Sequence, residues 1–340
     1  MRIFVAGATG ALGRQLLPRL TTAGHSVWGM TRSRGKESLI RAAGATPAIA
    51  DAFDQEAVLA AVADAAPDVI IHELTALSSF TSLRHFDREL AQTNRLRTEG
   101  TRHLLKAACA AGTRRFVAQS FAGWPFAREG GPVKAEGDPL DPNPPISARQ
   151  TLAAIKELEA TVTHANDLEG IVLRYGFFYG PGTSLGAGGK QIEAIRRRRV
   201  PIFGSGAGIW SFVHIRDAAE ATCLAVERGE PGIYNIVDDD PAPVTQWLPA
   251  LAAAIGAKPP YHVPAWLGRL AIGSQGMALM TESRGASNTK AQRELGWQPS
   301  FTSWRDGFRR GLGENAWSAC ESAQRDRQLA RSNVCGSSKR

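Results

Sequence analysis

Short apolar runs alternate with amphipathic stretches through the first half of the chain. The strand-like runs are Ile3–Ala6, Ser26–Met30, Thr46–Ala50, Val69–His72, Phe116–Gln119 and Gly170–Arg174. The helical stretches between them are Ala11–Ala23, Glu37–Ala43, Gln55–Ala65, Thr93–Ala111 and Thr151–Ala165. Strands that alternate with helices predict a parallel sheet covered by helices on both faces. The pattern therefore predicts the α/β class with a doubly wound parallel sheet.

Beyond Arg174 this alternation gives way to shorter elements separated by turns rich in glycine and proline. Such turns are typical of a smaller lobe laid over the carboxyl ends of the strands, where open α/β sheets bind their ligands. We expect a nucleotide-binding domain at residues 1–174, to which 212–236 return. We expect a discontinuous C-terminal substrate lobe at 175–211 and 237–312, followed by a polar tail at 313–340.

A glycine-rich sequence lies between the first predicted strand and the first predicted helix. It reads Gly7-Ala8-Thr9-Gly10-Ala11-Leu12-Gly13. The first glycine permits a tight turn, the second lets the backbone approach a pyrophosphate, and the third lets the helix pack on the strand. Strand, turn and helix in this order predict a Rossmann-like nucleotide site, with Gly7, Thr9, Gly10, Ala11, Leu12 and Gly13 as contacts.

Composition narrows the class of protein. The chain has 340 residues, of which 43% are hydrophobic and 21% charged, as is usual for soluble globular proteins. No apolar run approaches the ~18 residues of a membrane helix, and the first strand leaves no room for a signal peptide. The four cysteines have neither metal-ligand nor disulfide spacing, so we predict a cytoplasmic protein without a metal site.

The formal net charge of +8 is spread along the chain. The densest basic run, Arg196–Arg199, ends a predicted helix, where cations favour the helix dipole. We interpret this run as a solvated helix end, and we expect neither nucleic acid nor a membrane as a partner.

Motifs along residues 1–312 resemble those of the extended short-chain dehydrogenase/reductases, the NAD-dependent epimerase/dehydratase family. The resemblance depends on the glycine turn and on the segments Val69–His72, Val172–Gly176, Tyr179–Gly182, Phe212–Ala219 and Glu294–Pro299. It implies a Rossmann-like domain, a nicotinamide cofactor and a C-terminal substrate lobe. The chain also departs from this family in its catalytic residues.

The family places a tyrosine four residues before a lysine on the helix after the fifth strand. Lys156 fits the lysine position here, where the resemblance implies both a catalytic role and a contact with the cofactor. The tyrosine position is Leu152, which cannot transfer a proton, and the chain has no tyrosine before Tyr175. The family's Ser/Thr position is Ser120 in one register and Phe121 in another. We therefore predict an atypical member with a non-standard proton donor.

Other residues are candidates for neutralising a developing alkoxide. Helical spacing places Arg149 on a stripe with Lys156, and Ser120, Tyr175 and Tyr179 are further candidates, although Tyr179 is equally consistent with packing. His72 and Glu73 are neighbours on one strand and point to opposite faces, so we interpret His72 as structural.

Cofactor choice depends on the end of the second strand. A carboxylate there binds the ribose of NAD, whereas this chain has Arg32, Ser33 and Arg34. A guanidinium pairs with the 2′-phosphate of NADP, so we prefer NADP(H) over NAD(H) and expect Arg32 and Ser33 to bind it. Asp51, after the third strand, is expected to flank the adenine.

The substrate lobe has Trp210 where nucleotide-sugar enzymes of the family have an arginine. With Trp124 and Phe178 it predicts a small hydrophobic or aromatic substrate. Three functions remain open: an NADPH-dependent oxidoreductase, a non-redox isomerase, lyase or cyclase that keeps its nucleotide, and a cofactor-sensing regulator. Apolar residues on the helices Thr93–Ala111 and Thr151–Ala165 also suggest a homodimer.

Overall fold

A computed structural model of the chain describes residues 1–77, 80 and 82–313. Its centre is a parallel sheet of seven strands: β1 (Arg2–Ala6), β2 (Ser26–Thr31), β3 (Thr46–Ile49), β4 (Val69–His72), β5 (Arg115–Phe121), β6 (Glu169–Tyr175) and β7 (Gly232–Ile236). The strand order is β7-β6-β5-β4-β1-β2-β3. The order reverses at β1, so the turn after β1 lies at the switch point where such sheets bind ligands.

The central strands are buried on both faces, which explains their continuous apolar sequences. In β1, Ile3 and Val5 pack on one face with the helices Gly13–Thr22 and Ile215–Glu227. Phe4 and Ala6 pack on the other face with the helices Gln55–Ala65 and Thr101–Ala110. Two apolar cores of the nucleotide-binding half follow from this alternation of side chains along each strand.

Helices cover both faces of the sheet and build the smaller lobe. They are α1 (Gly13–Thr22), α2 (Glu37–Ala42), α3 (Gln55–Ala65), α4 (Phe86–Glu89), α5 (Ala91–Arg95), α6 (Thr101–Ala110), α7 (Arg149–Thr163), α8 (Lys190–Arg196), α9 (Ile215–Glu227), α10 (Val244–Ala254), α11 (Ala265–Thr281), α12 (Thr289–Leu295) and α13 (Trp304–Arg310). Single 3-10 turns lie at Arg34–Lys36 and Ile146–Ala148. A π-helical turn, Leu96–Gly100, separates α5 from α6.

Segments after β6 return to the sheet. Phe212–His214 pairs with Phe177–Tyr179, α9 packs against α1, and β7 extends the sheet beyond β6. Short strand pairs complete the smaller lobe: Val133–Lys134 with Gly285–Ala286, Ile202–Phe203 with His262–Val263, and Ile209–Trp210 with Ala242–Pro243. A third apolar core, which includes Phe212, Trp247 and Trp304, lies in this lobe.

The six predicted strands are all present with ends within two residues, and the parallel sheet is confirmed. The long helix predicted up to Ala111 is broken by the π-helical turn. Residues 314–340 of the predicted tail lie outside the described residues. None of the described helices has the length and apolarity to cross a bilayer.

The homodimer stays a prediction. The apolar residues behind it, such as Leu104 of α6 and Leu158 of α7, are buried within the chain. The exposed side of these two helices is charged instead, with an ion pair between Arg102 and Glu157. The second exposed apolar stripe that a partner would cover is therefore not formed by these residues.

Candidate active site

The turn between β1 and α1 forms a cradle of backbone. Gly7 has a φ of 97°, and a Cβ atom there would lie 2.6 Å from the carbonyl oxygen of Glu73. A Cβ atom at Gly13 would lie 2.3 Å from the carbonyl oxygen of Gly7. Only glycine fits at either position, and the free N–H groups of α1 begin directly after this turn. The cradle fits the pyrophosphate of a dinucleotide.

The other residues of the turn lie around this cradle. The Gly10 N–H donates to the Gly7 carbonyl oxygen at 2.9 Å, which closes the turn. Leu12 is buried in the core, whereas Thr9 and Ala11 are half-buried and Gly10 is exposed. Thr9, Gly10 and Ala11 are thus accessible to a ligand, while Leu12 supports the turn from below.

The residues predicted to choose the cofactor follow two neighbouring strands. Arg32 follows β2 and is exposed, and the Ser33 N–H donates to the Thr31 hydroxyl at 3.3 Å. Asp51 lies just beyond β3, is exposed, and accepts from the Phe53 N–H at 3.0 Å. β2 and β3 are parallel neighbours, so these side chains share one edge of the sheet, on one side of the glycine cradle.

A buried polar cluster lies on the other side of the cradle, at the ends of β5 and β6. Glu159 of α7 binds the Arg174 guanidinium in two places, at 2.6 and 2.7 Å. The Ser120 hydroxyl donates to the same carboxylate at 2.7 Å. Because this bond uses its only hydrogen, Ser120 in this arrangement accepts from a substrate rather than donating to it.

The register of α7 differs from the prediction by one residue. The buried stripe at four-residue spacing is Thr151, Ile155 and Glu159, and Glu159 is the residue that binds Ser120. Lys156 is exposed and lies about 100° around the helix from Ile155. Leu152 is buried among apolar side chains. The role of Lys156 in catalysis and in binding the cofactor stays a prediction.

At the N-terminus of α7, the residue that contacts neighbouring side chains is Thr151 and not the candidate Arg149. Arg149 is exposed at the first position of this helix. The inward residue there is Thr151, whose hydroxyl donates to Asp87 at 2.7 Å and accepts from the Asn94 amide at 3.0 Å. Arg149 and Lys156 are both exposed, and neither belongs to the hydrogen-bonded cluster around Glu159. In either register of α7, the chain has no tyrosine on this helix.

Tyr179 is fully buried in the smaller lobe, against His214 and Phe308 at ring distances of 5.1 and 5.3 Å. Its hydroxyl has no partner among the described residues, and burial raises its pKa above the ordinary value. Gly307 approaches the ring so closely that a Cβ atom there would clash. The prediction of Tyr179 as a proton donor was wrong, because packing removes it from any ligand.

The hydroxyl of Tyr175 is also hydrogen-bonded to other side chains of the chain. Its hydroxyl donates to Glu73 at 3.1 Å and lies 2.7 Å from the Thr222 hydroxyl. Burial raises the pKa of Glu73 to about 8, so this carboxyl keeps its proton at neutral pH. These three side chains lie between the sheet and α9, beneath the glycine cradle.

His72 has the structural role that the strand alternation indicates. Its Nε2 lies 3.0 Å from the Thr101 hydroxyl, and its Nδ1 accepts from the Leu74 N–H at 3.3 Å. Burial lowers the pKa of His72 to about 4, so the ring is neutral at neutral pH. His214 likewise bonds to backbone, accepting from the Arg216 N–H. The described residues contain no cluster of metal-binding side chains.

Aromatic rings form a wall at the end of β5, and this wall begins with Phe121, the last residue of that strand. Phe121 contacts Phe177 edge to face at 5.1 Å, and Phe177 stacks on Trp210 at 3.9 Å. Phe121 and Phe177 are half-buried, so both have ring surface open to a ligand. Trp210 is 8% exposed and its Nε1 donates to the Leu279 carbonyl, so it supports the wall from behind.

The remaining predicted substrate residues are divided between two places. Trp124 is mostly buried against Phe86 and lines a small cavity with Gln275. Phe178 packs against Tyr175 at 5.2 Å, on the side of the core that supports the cradle. Phe178 was thus misplaced, because neighbouring residues of its strand face opposite sides and Phe177 takes the side of the wall.

Three residues near Ser120 were not anticipated from the sequence. They are Asn94, Arg97 and Thr151, which meet where the π-helical turn approaches α7. No local pattern marks them, because the irregular turn shifts the helix face that a regular period predicts.

The parallel sheet, the glycine cradle at the switch point and the polar cluster beside it define an enzyme of the short-chain dehydrogenase/reductase type. The model of the NAD dependent epimerase/dehydratase family matches residues 3–237, and the chain belongs to this family. It is an NAD(P)-dependent oxidoreductase of atypical catalytic sequence.

Named relatives agree with this class. A 3-diazoavenalumate denitrifying reductase from a Streptomyces species is 44% identical over 319 residues, which are 91% of this chain and all of the relative. A 4-hydroxy-2-methyl-3-oxo-4-farnesyl-3,4-dihydroquinoline-1-oxide ketoreductase from Stigmatella aurantiaca is 30% identical over 267 residues, 76% of this chain and 74% of the relative.

A solved structure agrees in fold. The UDP-glucose 4-epimerase of Thermotoga maritima superposes with a TM-score of 0.74 and 24% identity, covering 92% of this chain and 97% of that one.

Proposed function

We propose that this chain reduces a diazo or diazonium group on a small aromatic compound, releasing dinitrogen, with NADPH as the cofactor. The observation that carries this proposal is that no free acid lies beside the aromatic wall among the residues that the structure describes. The hydroxyl groups of Ser120, Thr151 and Tyr175 each donate their hydrogen within the chain. Reduction at this site therefore suits a substrate that needs no proton from the protein.

The two classes of substrate differ in this requirement. A carbonyl group that accepts a hydride becomes an alkoxide, whose charge needs a proton or a strong hydrogen-bond donor. A diazonium ion that accepts a hydride at its terminal nitrogen becomes a neutral diazene. Cleavage of the C–N bond then releases dinitrogen and leaves hydrogen on the ring carbon. One hydride is gained and one dinitrogen is lost, so atoms and charge balance without a proton.

The bound cofactor supplies the hydride, and the chain's own residues orient the two reactants. The Gly7–Gly13 turn holds the pyrophosphate, and the ring faces of Phe121 and Phe177 bind a planar substrate and exclude water. Ser120 presents only acceptor lone pairs, which favour an electron-poor diazonium group over a developing oxyanion. The name of the Streptomyces relative, which describes reduction and denitrification of a diazo compound, supports the same reaction.

Preference for NADPH depends on Arg32. The exposed guanidinium at the end of β2 pairs with a 2′-phosphate, and the described residues place no carboxylate on β2 to bind a free 2′-hydroxyl. We expect Arg32→Asp to weaken NADPH binding by ~1–3 kcal/mol and to leave NADH binding within a factor of about three. Arg41→Asp, the same charge change on the exposed side of α2, serves as the control. Equal affinity of the unaltered chain for both cofactors would contradict this preference.

The reaction is tested with 15N-labelled 4-diazobenzoate and NADPH. We expect one labelled dinitrogen, measured by mass spectrometry, for each NADPH lost at 340 nm, and benzoate as the product. Heat-denatured protein corrects for direct reduction by the cofactor. The matched carbonyl compounds, 4-formylbenzoate and 4-acetylbenzoate, are expected to react at least tenfold more slowly.

Two results would refute the proposal. Faster turnover of either carbonyl compound would indicate an ordinary ketone or aldehyde reductase with an unidentified donor. Binding of NADPH without turnover of any of the three compounds, or of related arenes, would favour the cofactor-sensing regulator.

A further inference from the structure

Arg97 lies at an irregular point of the fold, on the π-helical turn Leu96–Gly100. Single π-helical turns inserted in α-helices are frequent at functional sites, because they place a side chain where a regular helix would not. This turn packs against α7, the helix that holds Glu159 beside Ser120. Arg97 is half-buried there, whereas Lys156 on α7 is exposed.

The guanidinium of Arg97 is only partly satisfied. Its Nη1 donates to the Asn94 side-chain oxygen at 3.2 Å, and that bond is the one partner it has among the described residues. Burial lowers the pKa of Arg97 to about 10, and the Glu159 carboxylate opposes this shift. The group stays charged at neutral pH. None of its other donors is among the buried side-chain atoms that have no partner, so these donors are accessible and free to bind a ligand.

Arg97 lies on the side of the glycine cradle where the nicotinamide half of the cofactor is expected. Arg32 and Asp51 follow β2 and β3, on one side of the glycine cradle, and mark the adenosine half. The nicotinamide half of a dinucleotide centred on the cradle extends the other way, over β4 and β5. His72 ends β4, and its Nε2 lies 3.0 Å from the hydroxyl of Thr101, the residue that directly follows the π-helical turn, so the turn that holds Arg97 lies near that end of the sheet.

Nearby cations do not compete for this role. Arg174 is bound in two places by Glu159, and Lys156 and Arg149 are exposed on α7 and belong to no hydrogen-bonded cluster beside Ser120. We propose that Arg97 donates hydrogen bonds to the nicotinamide ribose and so positions the cofactor, in place of the family's lysine. It holds the ribose without transferring a proton, which makes it a positioning residue. The inference rests on the proposed function only in requiring a nicotinamide cofactor.

Binding of whole and partial cofactors tests this role without any substrate. NADPH is compared with adenosine 2′,5′-bisphosphate, which has the 2′-phosphate and lacks the nicotinamide half, and NADH is compared with ADP. We expect Arg97→Met to weaken NADPH and NADH by about tenfold, as the loss of a charged hydrogen bond does. Both fragments are expected to bind within a factor of about two of the unaltered chain. Arg97→Lys is expected to recover part of the loss, since it keeps the charge but not the planar fork.

Lys156→Met makes the same change of charge at an exposed position of α7 and tests the family's lysine position directly; if Arg97 has taken over that role, all four affinities are expected to stay unchanged. Thermal unfolding shows whether each variant is folded. Equal weakening of whole cofactors and fragments by Arg97→Met, or no weakening, would overturn the inference, and so would a loss of NADPH affinity in Lys156→Met. If 4-diazobenzoate is not reduced, the proposed reaction fails while these affinities still decide the role of Arg97.

Discussion

The buried pair of Glu159 and Arg174 makes a quantitative prediction, because its contacts also determine the site. The two side chains are 6% and 4% exposed, and two charged hydrogen bonds join them. Arg174→Met leaves the carboxylate buried with Ser120 as its remaining side-chain partner. Removing one member of a buried pair costs ~3–5 kcal/mol, since the other charge is left without compensation. We expect this loss in the free energy of unfolding at pH 7.

Two further variants separate the contribution of the Ser120 hydrogen bond from that of the Glu159–Arg174 charge pair. Ser120→Ala removes one hydrogen bond to a carboxylate that still has Arg174, so we expect a smaller loss of ~1.5–3 kcal/mol. The double variant Arg174→Met and Glu159→Gln removes both charges, and we expect it to be more stable than Arg174→Met alone. With the single variant Glu159→Gln measured as well, the double-mutant cycle gives the coupling energy between the two residues.

Urea unfolding followed by circular dichroism measures these differences. A loss of less than about 1 kcal/mol in Arg174→Met would refute the reasoning, because it would mean that water reaches the carboxylate. A double variant whose loss equals the sum of the single losses would refute it as well, since the residues would then not interact.

Two more predictions follow from buried groups. Because folding raises the pKa of Glu73 to about 8, this residue stabilises the chain fully below about pH 4.5, and its contribution is lost as pH rises to about 8. Glu73→Gln is expected to remove this slope in urea unfolding between pH 5 and 8, and an unchanged slope would contradict the assignment. Trp210→Ala removes the ring stacked on Phe177 and the donor to Leu279, so we expect a loss of ~3–5 kcal/mol. A loss below about 1 kcal/mol in the same assay would show that Trp210 does not support the wall.

Local sequence was sufficient for the fold and for the cofactor cradle. The strand Val69–His72 and the helix Gln55–Ala65 have the predicted ends, because each combines a clear apolar pattern with an unambiguous boundary. The glycine cradle could also be predicted from the sequence, since Gly7 and Gly13 belong to one short turn in which the backbone atoms come close together. The absence of the family's tyrosine was also evident from the sequence.

Sequence reasoning alone could not place the catalytic candidates where the answer depended on orientation. Lys156 and Leu152 were assigned by spacing along one helix, and an error of one residue turns a helical side chain by about 100°. The contact that sets the register of α7, between Glu159 and Ser120, joins residues from different elements.

What the sequence by itself determined is therefore the parallel sheet, the glycine turn at its switch point and the missing tyrosine, all of which depend on local pattern. The tertiary structure alone decided which side chains meet. Packing buried Tyr179 away from the site, left Lys156 exposed, and placed the irregular turn that holds Arg97 against α7. These outcomes depend on contacts between distant segments, which no periodicity within a single segment encodes.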